Sequence, residues 1–455
     1  MNIRPLIRTL KMNSFIYKTH AVPDDLSTVI TIDSSQEVAP KKAGISIEGV
    51  QAIWDSVLDM YRTGVYPGIS VCLRRRGKVV LKRAIGHARG NGPDDPKICE
   101  KVLLTPDTPI CQFSASKAVT AMVAHILVER GAINLTDPIS YYIPGFGFYG
   151  KENTTIYHIL SHHGGIPTLP ANADPELLFD PEGFVRMLCD KKPDAPGGRR
   201  MAYHAITGGF IIGEIVQRVT GMNIRDFLRE TIQRPMRFKY FNYGMDNENM
   251  PNVAMNYSTG FPVVFPLSVV VKRALGAPWN DIVRVSNDPR FLKTIIPAGN
   301  LYATADEMCQ FFELMLREGE LNGVRIFQPL TIRRAIMESD SMKFDTTMMV
   351  PMRYSAGMML GASPIGMYGP YTSRAFGHLG FINIFCWADP ERDLSCALLT
   401  TGKSLLGPHI RPLARFLSNT SWYCREGAGA SEISDVWCSY MMPLSKVLQS
   451  IFITI

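Results

Sequence analysis

The run Ile110-Cys111-Gln112-Phe113-Ser114-Ala115-Ser116-Lys117-Ala118-Val119-Thr120-Ala121 decides how this chain is read. Ser114 and Lys117 stand three residues apart, so on a helix they fall on neighbouring turns of one face. A serine hydroxyl is a poor nucleophile until a base removes its proton. A lysine one turn away can be that base if burial and nearby positive groups lower its pKa. The spacing places Ser114 at the start of a helix. There the free N–H groups and the positive end of the dipole favour developing negative charge. An ordinary surface helix also carries such pairs, so the motif needs partners elsewhere in the chain.

Composition narrows the field. The chain has 455 residues, 46% hydrophobic and 20% charged, with a net charge of +7. That is enough to bury a large core and is ordinary for a globular protein. No Lys/Arg run is interleaved with aromatics, which speaks against nucleic-acid binding. The densest basic cluster, Arg74-Arg75-Arg76-Gly77-Lys78, reads as a solvated hairpin turn. Nine cysteines lie scattered without C-x-x-C spacing, as expected of reduced thiols in a cytoplasm-like compartment. Cys111 reads as a small buried residue at a strand end. Residues 1–20 lack an apolar stretch of signal-peptide length, and no run is long enough for a membrane span. The apolar end Val447 to Ile455 is expected to dock on the body.

Periodicity orders the rest. Residues 1–44 read as an irregular arm, residues 45–420 as one domain with a helical region within about 120–295, and residues 421–455 as a tail. Helical spacing marks Ser46 to Arg62, the Ser114 segment as far as Gly131, Thr155 to Leu160, Gly208 to Thr220 and Ala305 to Leu316. Strand-like runs are Gly68 to Leu73, Val79 to Ile85, Tyr354 to Leu360, Ile382 to Ala388 and Ser395 to Thr400. Strands at both ends with helices between them imply an α+β fold whose antiparallel sheet is completed by distant segments. Phe261 to Val271 is apolar and interrupted by Pro262 and Pro266. It reads either as a buried loop or as an apolar wall beside a site for acyl chains.

Two further places can complete the chemistry. Tyr203 follows the Gly-rich turn Pro196-Gly197-Gly198 and precedes the apolar helix, so its oxygen can enter a cleft as a phenolate or proton relay. Phe376-Gly377-His378-Leu379-Gly380-Phe381 sets a histidine between glycines on a strand, where a ligand can approach the backbone and an N–H can face an oxyanion. Taken singly, Tyr203 fits a half-buried phenol and His378 a surface residue at a bulge.

In this order the three places resemble the serine β-lactamase-like family, most nearly its class C β-lactamases, DD-peptidases and family VIII carboxylesterases. Leu135-Thr136-Asp137-Pro138-Ile139, Ile159 to Pro167, Pro235-Met236-Arg237 and Ala298 to Asp306 resemble the stretches this family carries between its motifs, so the likeness spans roughly 45–405. The resemblance implies a β-lactamase/transpeptidase-like fold, with an antiparallel sheet flanked by helices and an all-helical region across the cleft. It implies Ser114 as nucleophile, Lys117 as base and Tyr203 as proton relay. His378 stands where lactamases carry the lysine of K-T-G, and the oxyanion hole would use the amides of Ser114 and Phe381, just after Gly380. No cofactor or metal is implied. The expected partner is a small-molecule ester, and the oligomeric state stays open. One departure matters: Ala205 occupies the position where lactamases and peptidases usually carry asparagine. Alanine cannot hold a substrate amide, which favours esters over β-lactams and peptides; it also fits an inert scaffold of the same fold.

Other signals carry less. His158 and His162 are four apart, as in zinc sites, but Ile159 replaces the glutamate of H-E-x-x-H. There is no G-x-S-x-G elbow and no phosphate loop. Thr401-Gly402-Lys403 reads as a turn at a strand end.

Overall fold

The computed structural model describes residues 17–425 apart from Ala171 and Ile382, with Ala274 described by its backbone only. The apolar end 447–455, Cys438 and the start of the N-terminal arm lie outside the described residues.

Strand-forming sequence at both ends of the chain makes one eight-stranded antiparallel sheet. Its order is Ile30–Ile32, Lys78–Arg89, Gly68–Arg75, Leu394–Thr400, Ile384–Asp389, Phe376–Gly380 and Met359–Leu360, with Val102–Leu103 joined to Lys78–Arg89. Successive side chains on a strand point to opposite faces. Accordingly Ile69, Val71, Leu73, Phe385, Trp387, Cys396 and Leu398 enter one core, while Cys72, Cys386, Ala388, Ala397 and Leu399 enter another. Helices Ile47–Arg62 and Ile410–Tyr423 cover the first face. Helix Ala305–Leu316 covers the second, and its Thr304–Glu307 capping box fixes where it starts.

The Arg76-Gly77 hairpin forms as expected, with Arg76, Gly77 and Lys78 exposed, but Arg74 and Arg75 are not solvated. Arg75 is buried and donates to the Ala43 and Gly44 carbonyls, and Arg74 pairs with Asp306 and Glu313. Arg74 lies against helix Ala305–Leu316 and Arg75 against the turn before helix Ile47–Arg62, so these guanidiniums have to find protein acceptors. Residues 30–32, within the segment read as an irregular arm, form an edge strand paired to residues 83–85. Of the run 354–360, only Met359–Leu360 is a strand. Segment 261–271 is not a buried loop: residues 267–275 form a helix, and Val264, Phe265 and Val269 are exposed.

The helix carrying Lys117 runs Ser116–Glu129 and is buried around most of its circumference, as its apolar composition requires. It packs against helix Thr207–Thr220 and under strand Phe376–Gly380, the last but one of the sheet. Gly209 permits the close approach of Thr207–Thr220 to the Ala298 turn, because a Cβ there would lie 2.5 Å from the Ala298 nitrogen. A small three-stranded sheet, Ile110–Cys111, Leu301–Ala303 and Asn242–Tyr243, aims the chain into Ser114.

Candidate active site

Ser114 does not sit in the first α-helical turn. It lies in a single 3₁₀ turn, Phe113–Ala115, and the α-helix begins at Ser116. Phe113 reaches this turn with φ +46°, a left-handed conformation that costs a non-glycine residue energy. Buried hydrogen bonds hold it there. Gln112 N donates to the Leu301 carbonyl at 2.8 Å, and the Leu301 amide donates to Ser116 Oγ at 3.0 Å.

Lys117 Nζ lies 3.1 Å from Ser114 Oγ and 3.1 Å from the Ala298 carbonyl. Asn300, fully buried, fixes that carbonyl's turn by donating to the Phe291 and Thr294 carbonyls and accepting from the Ile296 amide. Lys117 keeps a little surface in the cleft, yet protein encloses it closely, and desolvation pushes its ammonium down to about 7. Among the described residues no carboxylate forms an ion pair with it, and its charge lies 4.9 Å from the Tyr203 ring centroid.

Tyr203 is buried, and burial holds its phenol above the ordinary value. The hydroxyl is therefore protonated near neutrality, which favours a relay over the phenolate alternative. It makes no hydrogen bond of good geometry among the described residues, although Ser114 is near enough to favour its ionised form. The Tyr203 backbone is pinned by Asp345, whose carboxylate accepts from the Tyr203 amide at 3.1 Å, the Thr347 and Met348 amides at 2.8 Å and the Tyr354 hydroxyl at 2.9 Å. His162, at φ +62°, packs against both Tyr203 and Tyr354 and accepts from the His204 amide.

His378 is buried, not on the surface, and its ring centroid is 6.2 Å from that of Tyr203. Burial and the Lys117 charge push it down to about 3, so the ring is neutral at working pH. Its Nδ1 lies 2.7 Å from the Leu379 carbonyl, which makes Nδ1 the donor and leaves Nε2 buried with an unused lone pair. Gly380 is required by packing, since a Cβ there would meet the Gln112 carbonyl at 2.2 Å. Phe381 follows with φ +46°, the same strained value as Phe113, and the two rings stack at 4.9 Å.

The fold thus brings Ser114, Lys117, Tyr203, His378, Gly380 and Phe381 together. The sequence reading missed Asp345, Tyr354 and the Ala298 carbonyl. No motif surrounds Asp345, and its role depends on a long-range contact to Tyr203. His158 and His162 do not converge on one point; His158 Nδ1 accepts from the Thr155 amide and His162 Nδ1 from that of His204. Ala205 is buried beside Met201, Tyr203, Met352 and Tyr354, in an apolar wall.

An antiparallel sheet edged by a buried Ser-x-x-Lys helix, with helices across the cleft, defines the β-lactamase/transpeptidase-like fold. The Beta-lactamase family model matches residues 50–415, and the chain belongs to that family of hydrolases. It is similar to the esterase/beta-lactamase LipL of Mycobacterium tuberculosis, 26% identical over 304 residues, covering 63% of this chain and 68% of that protein. Among solved structures it resembles a penicillin-binding protein homologue from Caulobacter crescentus (TM-score 0.70, 24% identity, covering 84% of this chain and 99% of that one). It also resembles a family VIII carboxylesterase (TM-score 0.69, 24% identity, covering 82% and 98%). Among the described residues no helix is long and apolar enough to cross a membrane.

Proposed function

We propose that this hydrolase cleaves carboxylic esters of small molecules through an acyl-enzyme on Ser114. The observation that carries the reading is the contact between Lys117 Nζ and Ser114 Oγ at 3.1 Å, in a pocket that favours the neutral amine. Neutral Lys117 takes the Ser114 proton as Oγ attacks the ester carbonyl. The amides of Ser114 and Phe381 hold the oxyanion. The C–O bond then breaks, and the alcohol leaves with a proton passed by Tyr203 from Lys117. Water, or another alcohol or amine, adds to the acyl carbon by the same route and frees Ser114.

Two features favour esters over amides. Ala205 offers no hydrogen bond to a substrate amide and lies in an apolar wall. A groove of about 330 Å³, lined by Pro262, Val263, Val269, Pro278 and Trp279 together with Ser268, Lys272 and Asn280, adjoins Phe381 through the Trp279 ring, 4.3 Å away. LipL is named for both esterase and β-lactamase activity, so penicillin recognition is the second reading. The test is hydrolysis of p-nitrophenyl acetate through octanoate, run beside nitrocefin. The reading requires ester turnover that Ser114→Ala abolishes. Full activity in Ser114→Ala overturns the nucleophile, and nitrocefin turnover exceeding that of every ester overturns the substrate class.

A further inference from the structure

We infer that Lys403, which no step above uses, is a positioning residue for the oxyanion hole, acting through a three-ring aromatic stack. The inference rests on the acyl-enzyme reading and extends it to a residue that touches neither substrate nor Ser114.

Lys403 is fully buried at the end of the sheet. The sequence suggested a turn there, but Gly402–Lys403 pairs in parallel with Tyr257–Ser258 and so ties the sheet to the loop beneath the groove. Its two ends grip different rings. The ammonium donates to the Thr400 carbonyl and lies 5.0 Å from the Phe113 ring centroid. The backbone carbonyl accepts from Trp279 Nε1 at 3.3 Å and from the Thr259 amide at 3.1 Å. Between them the rings run without a gap: Trp279 on Phe381 at 4.3 Å, and Phe381 on Phe113 at 4.9 Å.

The two phenylalanines are the residues whose backbone sets the proposed oxyanion donors. Phe113 precedes the Ser114 amide, and Phe381 carries the other. Both are held at φ +46°. A left-handed non-glycine residue relaxes unless its surroundings over-determine it. The ring stack, clamped at both ends by one residue, adds to the hydrogen bonds of Gln112 and Ser116 in supplying that constraint. Burying an ammonium without a carboxylate partner costs stability, because desolvation is not offset. No ion pair to Lys403 occurs among the described residues, and the titratable group beside it is the buried thiol of Cys111. A leucine or methionine would pack there at lower cost, so the lysine is explained by what it aligns and not by what it stabilises.

The test is Lys403→Met, which keeps the stem and removes the ammonium. The expected result is a fall in kcat of about 10–100-fold, less than the ~10²–10³ typical of deleting an oxyanion donor outright. KM should stay within about threefold, since substrate contacts are untouched. The Ki of a trifluoromethyl ketone analogue, which mimics the tetrahedral species, should rise by the same factor as kcat falls. The melting temperature should hold or rise. Unchanged kcat and Ki overturn the inference, and so does a loss of rate that comes only with a lowered melting temperature. Trp279→Phe keeps the ring but loses the bond to the Lys403 carbonyl, so it should show the same split, smaller. Ser114→Ala is run in parallel with a fluorophosphonate probe: persistent labelling would refute the acyl-enzyme reading itself, whatever Lys403→Met does.

Discussion

Ester hydrolysis should show a rising limb centred near neutrality, and Lys117 should carry it. Burial holds this ammonium at about 7 instead of 10.5. At pH 7 about half the molecules therefore have a neutral base, falling to about a tenth at pH 6. A lysine left at its ordinary value would be neutral in roughly 3 of 10,000 molecules at pH 7, so burial raises the reactive fraction by about 10³. The other groups facing Lys117 do not titrate in this range. His204 and His378 are pushed down to about 3, His162 lies well below its ordinary value, and Tyr203 is pushed up. The assay is kcat/KM for p-nitrophenyl acetate between pH 5.5 and 9, in wild type, Lys117→Met and Lys403→Met. Lys403 is also pushed down to about 7, behind Phe113 and not against Ser114, so loss of its proton should loosen the hold on Phe113 and cost rate above neutrality. Lys403→Met should accordingly keep the rising limb and lose the decline above neutrality, whereas Lys117→Met should lose the rising limb along with about 10²–10⁴ of the rate. A limb centred above pH 9, or Lys117→Met retaining more than about a tenth of kcat/KM, would refute the assignment.

Further predictions follow from the same contacts. Asp345→Ala strands the Tyr203, Thr347 and Met348 amides and the Tyr354 hydroxyl, so it should cost about 2–4 kcal/mol in urea unfolding and lower kcat together with stability. Gly380→Ala drives a methyl into the Gln112 carbonyl and should cut kcat at least about tenfold; activity equal to wild type would show that the strand edge tolerates displacement. For Lys403 the folded value of about 7 lies below the unfolded 10.5, so between them the unfolded state binds more protons. Stability therefore rises with pH over that window, by up to about 1.4 kcal/mol per pH unit from this group, and is lost as pH falls towards 7. Lys403→Met should remove that slope and be the more stable protein at pH 6, as measured by thermal melts across pH.

Local chemistry made much of the site legible. Ser114-x-x-Lys117, the Gly-rich approach to Tyr203 and the Gly-flanked His378 each stand in a run whose periodicity or turn residues announce an exposed or strained position. What stayed hidden depends on pairings between remote segments. Asp345 lies far along the chain from the Tyr203 amide it anchors, and the Trp279–Phe381–Phe113 stack joins three separate segments. The arginines at 74 and 75 misled for the same reason. A basic turn reads as solvated until the acidic groups of helix Ala305–Leu316 are found packed against Arg74 and the Ala43 and Gly44 carbonyls against Arg75.

By itself, then, the sequence determined the α+β arrangement, the helix that carries Lys117, and most of the residues gathered around Ser114, though not Asp345 or Tyr354. Hydrophobic period, capping residues and glycine placement act over a few residues and can be read in order. Tertiary structure alone decided how basic Lys117 is, that Tyr203 is held protonated and His378 neutral, and that Lys403 lies beneath the Ser114 turn. These properties come from desolvation and ring stacking, which depend on what the rest of the chain brings to a point in space.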